Sequence, residues 1–264
     1  MDLENKVVWI TGASSGIGRA LALELAKSRC RLVLSSRSEE ALIAVQQQCG
    51  LNESNSLIIP FDLKDTSKAT QYSDAILSKF GSIDILINNG GFSQRAEAVE
   101  TEIEITRDLL EVNFFSSVAL TKTVAPVMIR QKSGNIVVMS SIAGKFGFFL
   151  RSSYSAAKHA LHGYFESFRL ETEKHGIQTL IVCPGKIKTD ISLNAVGPAG
   201  SQHNKMDESH VNAMSADECA RQIISAMCKN KEEVLIGGSE IRSVAFKRFF
   251  PRIFSRLIRK QKPL

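Results

Sequence analysis

Short apolar runs rich in β-branched residues alternate along the chain with longer segments whose apolar residues recur at helical spacing. The runs are nearly continuous, as expected of parallel strands whose two faces are both covered by helices. They predict seven strands, at Val7–Thr11, Arg31–Ser35, Ser56–Phe61, Ile83–Asn88, Gly134–Ser140, Gln178–Cys183 and Glu233–Gly237. The helical segments between them include Arg19–Ser28, Lys68–Phe80, Ile103–Gln131, Ser153–His175 and Ala216–Lys229. This alternation predicts one doubly wound α/β domain with a parallel sheet.

The stretch from Lys188 to Ser215 has the weakest pattern of regular structure. It holds two glycines and a proline among Ser, Asn and His, which predicts a long loop or short helices. Long loops in compact domains often cover a site as a lid, and a disordered surface insertion is the alternative. Ser215, with Glu218 three residues later, predicts a capping box at the start of the next helix.

The chain has 264 residues, of which 44% are hydrophobic, enough to bury a substantial core. It has no uncharged apolar run of about eighteen residues, so we expect no transmembrane helix. Residues 1–6 carry two acids and no apolar h-region, so we expect no secretory signal. The five cysteines are scattered without a CxxC pair, which favours reduced thiols in a cytoplasmic protein. His159 and His162 lack a carboxylate or thiol partner in the pattern, so no metal site is predicted.

The charge is concentrated at the C-terminus. The net charge is +6, yet residues 242–264 alone carry eight basic residues and no acid. In this tail, Phe246, Phe249, Phe250, Ile253 and Phe254 begin an apolar stripe at helical spacing, with Pro251 marking a kink or a restart. We therefore divide the chain into a main domain, 1–241, and a basic amphipathic tail, 242–264. The tail either docks on the protein or a partner subunit, or makes peripheral contact with an anionic membrane.

A glycine-rich loop follows the first predicted strand and precedes a helical pattern, in Thr11-Gly12-Ala13-Ser14-Ser15-Gly16-Ile17-Gly18. Glycines there let the backbone approach a pyrophosphate, and the helix N-terminus supplies unpaired N–H groups. The second strand ends in Ser35-Ser36-Arg37, with no acid to accept the ribose hydroxyls of NAD. Because Arg37 offers a guanidinium for a 2′-phosphate, we predict NADP(H) as the cofactor.

Tyr154 and Lys158 lie four residues apart in a helical pattern and therefore share one helix face. A free tyrosine has a pKa of about 10, too high for acid/base work near neutral pH. A neighbouring ammonium stabilises the phenolate and lowers that pKa. Ser140 and Ser141 end the strand before this helix, where a hydroxyl could stabilise charge on a substrate oxygen.

With these motifs in this order, the chain resembles the short-chain dehydrogenase/reductases, in the branch that carries TGxxxGxG and YxxxK. The resemblance covers about residues 6 to 240 and also rests on Phe61-Asp62-Leu63, Asn88-Asn89-Gly90, Asn113 and Pro184-Gly185. It implies a single Rossmann-type domain of about seven strands in the order 3-2-1-4-5-6-7. One departure is visible, because Gly90 stands where the family usually has Ala after the paired asparagines.

The resemblance implies a role for each matched position. Tyr154 is the acid/base, and Lys158 lowers its pKa and holds the nicotinamide ribose. Ser141 polarises the carbonyl, and Asn113 maintains a water-linked proton relay to Lys158. Asp62 contacts adenine, and Asn88 lies beside the adenosine ribose. The implied cofactor contacts are Gly12, Ser14, Ser15, Gly16, Ile17, Gly18, Arg37, Asp62, Leu63, Asn89, Gly90, Tyr154, Lys158, Pro184, Gly185 and Thr189. The resemblance also implies a homodimer or homotetramer.

The predicted function is therefore an NADP-dependent oxidoreductase acting on a carbonyl or secondary alcohol. Phe146, Phe148, Phe149 and Leu150 favour an apolar substrate, such as a steroid, retinoid, fatty-acyl or aromatic ketone, if they line the pocket; a dimer or core surface is the alternative. A 3-oxoacyl thioester reductase and a non-catalytic dinucleotide-binding scaffold are competing functions. Nucleic-acid binding rests only on the charge of the tail and is not predicted.

Overall fold

The computed structural model describes residues 2–201 and 213–260, and it contains one seven-stranded parallel sheet. The strands of this sheet have the order β3-β2-β1-β4-β5-β6-β9. Their bounds are β1 Val7–Thr11, β2 Arg31–Ser35, β3 Ser56–Ile58, β4 Ile85–Asn88, β5 Gly134–Met139, β6 Ile177–Pro184 and β9 Glu233–Ile236. Since β9 is the seventh strand of the sheet in chain order, the predicted order 3-2-1-4-5-6-7 is confirmed.

Helices cover both faces of the sheet. They are α1 Gly16–Ala26, α2 Glu39–Gln48, α3 Ala69–Phe80, α4 Ile103–Leu110, α5 Ser116–Gln131, α6 Ser152–Thr172, α7 Ala216–Cys228, α8 Arg242–Phe249 and α9 Pro251–Ile258. Short 3-10 turns occupy Ile142–Gly144, Glu173–His175 and Ser239–Ile241. Helices α1, α2 and α7 pack against one face of the sheet.

Alternate residues of β1 enter two different cores. Val8 and Ile10 pack in the cluster that includes residues of α1, α2 and α7. Val7 and Trp9 pack in the cluster on the other face, with residues of α3, α5 and α6. Both faces of the strand are therefore buried, which explains why β1 reads as an unbroken apolar run. The indole Nε1 of buried Trp9 donates to Ser35 Oγ at 2.9 Å, so its polar atom is also satisfied.

The long predicted helix at Ile103–Gln131 consists of α4, a π-helical turn at Glu111–Phe115, and α5. It is the one helix in the described part of the chain that is long and apolar enough to span a membrane, and 56% of its most apolar window is buried. This is weak evidence for a span, because a core helix of a globular protein has the same composition. The strand predicted at Ser56–Phe61 is shorter than expected and ends at Ile58.

The weakly patterned stretch 188–215 is partly ordered by pairing. A two-stranded parallel ladder joins β7 (Ile187–Lys188) to β8 (Met214–Ser215), and Val196 forms a bridge with Gln94. The prediction of a loop over 202–212 lies outside the described residues. Half of the capping box is present, since Glu218 N donates to Ser215 Oγ at 3.1 Å. The Glu218 carboxylate accepts from Arg221 and Gln222 on the next turn.

Candidate active site

A cleft of about 1260 Å³ opens at the carboxyl ends of the strands. Its walls come from the segments after β1, β2, β4, β5 and β6, and from the C-terminal helices. The carboxyl edge is where ligands bind in open parallel sheets. Of the predicted site residues, only Gly18 and Asn88 lie outside the lining of this cleft.

The glycine loop turns tightly at the amino end of α1. Gly12 and Gly16 have φ of 63° and 51°, in the left-handed region that favours glycine. A Cβ on Gly12 would lie 2.7 Å from Gly90 Cα, so two backbones touch there. Gly12, Ser14, Ser15, Gly16 and Ile17 line the cleft. Ser15 precedes α1 and its side chain makes no capping hydrogen bond, so the first N–H groups of α1 have no side-chain cap in the described structure.

Gly18 has a different role from the one the resemblance implies. It does not line the cleft, and a Cβ there would stand 2.1 Å from Gly12 O. The glycine is needed because α1 packs directly on the loop before it. Asn88 is corrected in the same way. It is the last residue of β4, and its Nδ2 donates to Thr121 Oγ1 of α5 at 3.1 Å, away from the cleft.

The neighbouring Asn89 lines the cleft and holds the glycine loop. Its Nδ2 donates to Thr11 O at 2.9 Å and to Gly12 O at 3.2 Å. Further along the cleft lie the other predicted cofactor positions, namely Arg37, Asp62, Leu63, Gly90, Pro184, Gly185 and Thr189. A close backbone cradle and an uncapped helix terminus fit the phosphates of a dinucleotide, and the exposed Arg37 lies in the same cleft.

Tyr154 and Lys158 are buried on the first turns of α6, with 8% and 4% of each residue exposed. The Lys158 ammonium lies 5.6 Å from the centroid of the Tyr154 ring. Burial raises the pKa of Tyr154, and a hydrogen bond with Ser141 opposes that rise. Of the two candidate serines, Ser141 therefore faces the tyrosine. Ser140 Oγ instead donates to Lys158 O at 3.1 Å, behind the site.

Lys158 lies in an apolar setting. Its ammonium donates to Met139 O at 2.7 Å, and burial lowers its pKa to about 7. Asn113 lies nearby in the π-helical turn, where its Nδ2 donates to Phe92 O at 3.1 Å and to Leu109 O at 3.0 Å. Its Oδ1 is buried and makes no hydrogen bond in the described structure. A Cβ on Gly91 would lie 2.4 Å from that oxygen and 3.7 Å from Lys158 Nζ, so the amide and the ammonium face the same small space.

Two arginines that no sequence motif indicated also line the cleft. The positive charges of Arg151 and Arg95 both lower the pKa of Tyr154, against the effect of burial. Arg151 lies 5.7 Å from the centroid of the Phe148 ring, and Arg95 donates to Ser93 Oγ at 2.9 Å. Arg151 directly precedes α6, whereas the loop that carries Arg95 is distant in sequence, so only the folded chain brings Arg95 to the tyrosine.

Two further positioning residues were also missed. Gln94 is fully buried, and its Oε1 accepts from Ser153 N at 2.9 Å, which fixes the start of α6 one residue before Tyr154. The Glu240 carboxylate accepts from Lys186 N at 2.8 Å and from Gly238 N at 3.0 Å. Although burial acts to raise it, these backbone bonds hold the pKa of Glu240 below its usual value. Glu240 thus braces the segment that follows β6 in the cleft.

The far end of the cleft is apolar. Phe146 and Phe148 line this end, and their ring centroids are 4.7 Å apart. Phe246, Phe254 and Leu257 of the tail line it as well. Phe149 is 47% exposed and does not line the cleft. The phenylalanine run therefore divides between the cleft and the surface.

One cluster has the composition of a metal site. Ligand atoms of His162, Cys183 and Glu233 lie within 4.8 Å of one another. The Lys145 ammonium already bonds Glu233 and lies 3.3 Å from His162 Nδ1. Burial raises the pKa of Cys183 to about 12, which keeps the thiol protonated. With His162 Nε2 at 3.0 Å from Ser140 Oγ, the cluster supports the wall behind the site.

Comparison with known proteins agrees with this geometry. A family model described as short chain dehydrogenase matches residues 6–197. The chain belongs to this family. Membership makes it an oxidoreductase of a family that uses nicotinamide dinucleotides, and the predicted family and fold are confirmed.

Relatives match over most of their length. Dehydrogenase/reductase SDR family member 7B of Bos taurus is 37% identical over 263 residues, covering 97% of this chain and 81% of that protein. Dehydrogenase/reductase SDR family member 7 of Homo sapiens is 40% identical over 242 residues, covering 89% and 71%.

Two solved structures share the fold. A short-chain dehydrogenase from Streptomyces avermitilis superposes with a TM-score of 0.82 at 25% identity, over 97% of this chain and 96% of that one. A short chain dehydrogenase/reductase from Burkholderia phymatum, in complex with NAD, gives 0.84 at 21% identity over 100% and 98%. At that identity the second likeness shows the fold alone.

Proposed function

We propose that the chain is an NADP-dependent oxidoreductase that transfers a hydride between nicotinamide and the carbonyl or secondary alcohol of an apolar substrate. The observation that carries the proposal is the meeting of Tyr154, Ser141 and Lys158 at the junction of the glycine-loop half and the apolar half of one cleft. A carbonyl oxygen placed between the Tyr154 and Ser141 hydroxyls would have a proton donor and a second hydrogen-bond donor.

Each residue then has a defined task in reduction. The bound nicotinamide would supply the hydride. Ser141 Oγ donates to the substrate oxygen and orients it, and Tyr154 Oη gives that oxygen its proton. Lys158 stabilises the resulting phenolate, and Asn113 Oδ1 accepts a hydrogen bond from the water that returns a proton toward Lys158. The buried, unpaired state of Asn113 Oδ1 in the described structure supports this last assignment.

The test of catalysis is Tyr154→Phe, measured by NADPH oxidation with a panel of apolar ketones. Removing the hydroxyl should lower turnover by a factor on the order of a hundred to ten thousand, since general acid catalysis contributes that much. Cofactor binding, followed by NADPH fluorescence, should be largely kept, because the other implied cofactor contacts are intact. Unchanged turnover in this variant would instead support the scaffold alternative.

The preference for NADP over NAD is part of the proposal and rests mainly on Arg37. This side chain is exposed at the end of β2 and lines the cleft with Ser36, and no acid follows that strand directly. Arg37→Asp should weaken NADPH binding strongly and leave NADH binding equal or better, because a carboxylate repels the 2′-phosphate. Equal affinity of the natural chain for NADPH and NADH contradicts this preference.

An apolar substrate is favoured by the phenylalanines at the far end of the cleft. Turnover of steroid, retinoid, fatty-acyl or aromatic ketones would support it, and exclusive turnover of an acetoacetyl thioester would assign the chain to 3-oxoacyl thioester reduction. Activity confined to small polar sugars would contradict both substrates.

We also propose that the chain acts in the cytoplasm as a homodimer or homotetramer. Phe115, at the end of the π-helical turn, and Leu170 on α6 are 50% and 76% exposed. A helix interface would bury these apolar side chains. Light scattering of the purified chain tests this, and a monomer at all concentrations would contradict it.

A further inference from the structure

The C-terminal helices form part of the cleft. The tail is defined here as α8 and α9 with the two residues that follow, 242–260 in the described chain. The Phe254 ring meets Phe146 edge-on, with centroids 4.9 Å apart. Phe246, Leu257 and Ile258 also line the apolar end. Because Phe146 is buried and follows the Ser141 strand end, α9 is a wall of the substrate half of the cleft.

Helices α8 and α9 are weakly attached to the rest of the protein. No residue of α8 or α9 is buried. The described polar contacts of the tail with the body include Lys247 Nζ, which donates to Lys145 O at 2.8 Å. Ser243 Oγ also donates to Glu240 O, three positions away in the chain, and Phe254 contacts Phe146. Such contacts are weak restraints for two helices. The body therefore covers only one edge of the tail.

The remaining surface of the tail is both apolar and basic. Phe249, Phe250, Ile253 and Leu257 are 71%, 52%, 50% and 51% exposed. Arg252, Arg256 and Arg259 are exposed beside them, and residues 242–264 contain no acid. An amphipathic helix with a cationic face and exposed aromatics is suited to the interface of an anionic bilayer. A nucleic acid would pair with the cations but would leave the exposed apolar side chains in water.

The two surfaces are continuous along α9. Phe254, Leu257 and Ile258 line the cleft, and Leu257 is also half-exposed, beside the exposed Ile253. We propose that the tail binds the surface of an anionic phospholipid bilayer and that an apolar substrate enters the cleft along α9 directly from the lipid. The binding stands independently of catalysis, and the substrate route rests on the proposed function.

The binding test uses the full chain and co-sedimentation with vesicles. One set is phosphatidylcholine alone, and the other is an equal mixture with phosphatidylglycerol. We expect binding to the mixed vesicles only. The combined variant Arg252→Gln, Arg256→Gln, Arg259→Gln should bind about a hundredfold more weakly, at about fivefold per cation near an anionic surface.

A second variant tests the apolar part. Phe249→Ser with Phe250→Ser removes exposed rings that do not line the cleft, and it should also abolish sedimentation. The matched control is Val99→Ser, which removes an apolar residue that is 91% exposed away from the tail, and it should sediment normally. Unchanged NADPH binding shows that each variant is folded.

Three results would overturn the membrane proposal. They are equal binding to both vesicle types, undiminished binding of the arginine variant, and capture by a duplex oligonucleotide without capture by vesicles. For the route, the arginine variant should lose turnover of a ketone dissolved in mixed vesicles and keep turnover of a water-soluble carbonyl. If the natural chain turns over neither carbonyl, the proposed function fails while the sedimentation result still decides the membrane binding.

Discussion

Gly90 and Gly91, which follow the paired asparagines, should respond in opposite ways to alanine. A Cβ on Gly91 would lie 2.4 Å from Asn113 Oδ1, closer than real Cβ contacts come. A Cβ on Gly90 would meet Leu63 Cδ1 at 2.3 Å, and its next neighbour is Gly12 N at 3.4 Å. The obstacle at 91 is a fixed amide, whereas the obstacle at 90 is the far end of a flexible side chain.

The Asn113 amide has little freedom to move aside. Its Nδ2 donates to Phe92 O and Leu109 O, at 3.1 and 3.0 Å. Displacing it leaves buried carbonyls unpaired, so Gly91→Ala should lower the free energy of unfolding by about 1–3 kcal/mol. Because Asn113 faces Lys158, kcat should fall on the order of a hundredfold. Leu63 can rotate, and the φ of Gly90 lies outside the left-handed region, so Gly90→Ala should be neutral or stabilising by up to about 1 kcal/mol.

Urea unfolding followed by the fluorescence of Trp9, the single tryptophan, measures the stability change, and NADPH oxidation measures kcat. Gly163→Ala on α6 is the control, because a Cβ there meets nothing within 4 Å. It should gain about 0.5–1 kcal/mol from reduced backbone entropy of the unfolded chain. The reasoning is refuted if Gly91→Ala is as stable and active as the natural chain, or if Gly90→Ala is the more damaging change.

Other predictions follow from burial and charge. Phe165→Ala in the core should cost about 3–5 kcal/mol in urea unfolding, whereas Glu171→Ala on the exposed side of α6 should change it by under about 0.5 kcal/mol. Burial lowers the pKa of Lys158 from 10.5 to about 7, so between these values the unfolded chain binds more protons and stability rises with pH. Lys158→Met should remove a rise of about 1.4 kcal/mol per pH unit, measured above pH 7 against the natural chain, and identical slopes would contradict this. Arg151→Gln should raise the pKa of Tyr154, moving the alkaline increase in alcohol oxidation to higher pH, and an unmoved pH profile would show that this charge is not felt.

Much of the sheet was predictable because most strands correspond to a nearly continuous apolar run in the sequence. Strands β1 and β2 have the predicted bounds, since their buried runs end at the glycine loop and at Ser35-Ser36-Arg37. The strand β3 ends at Ile58, yet Ile59 N and Phe61 N still donate to Leu34 O and Ser36 O, each at 3.0 Å. The predicted bounds Ser56–Phe61 therefore match the length over which this backbone bonds to the β2 segment, which is longer than the regular strand.

The predicted cofactor positions line one cleft, apart from Gly18 and Asn88. Asn88 and Asn89 are adjacent, yet successive residues at a strand end point to opposite faces. One amide therefore bonds α5 while the next holds the glycine loop. Gly18 belongs to the motif because α1 packs directly on Gly12. From the sequence alone, a glycine needed for this packing looks the same as a glycine needed for ligand binding.

The remaining features depend on contacts between distant segments. Gln94 reaches Ser153 across 59 positions, and Lys247 reaches Lys145 across 102. The tail pattern indicated an amphipathic helix, and it left docking and membrane contact open. In the structure one edge of α9 lies on Phe146 while the other edge is exposed, so the two alternatives concern different edges of the same helix.

The pKa shifts of Tyr154 and Lys158 differ from those that their four-residue spacing predicted. The spacing predicted that an ammonium would lower the pKa of the tyrosine. Burial, however, raises the pKa of Tyr154 and lowers that of Lys158, so both neutral forms are favoured in the chain alone. The lysine is then only partly charged near neutral pH, and additional positive charge must favour the phenolate. In the folded chain that charge comes from Arg95 and Arg151, which lie outside the YxxxK motif. The pKa of Tyr154 therefore depends on Arg151, three residues before it, and on Arg95, which only the fold brings to it.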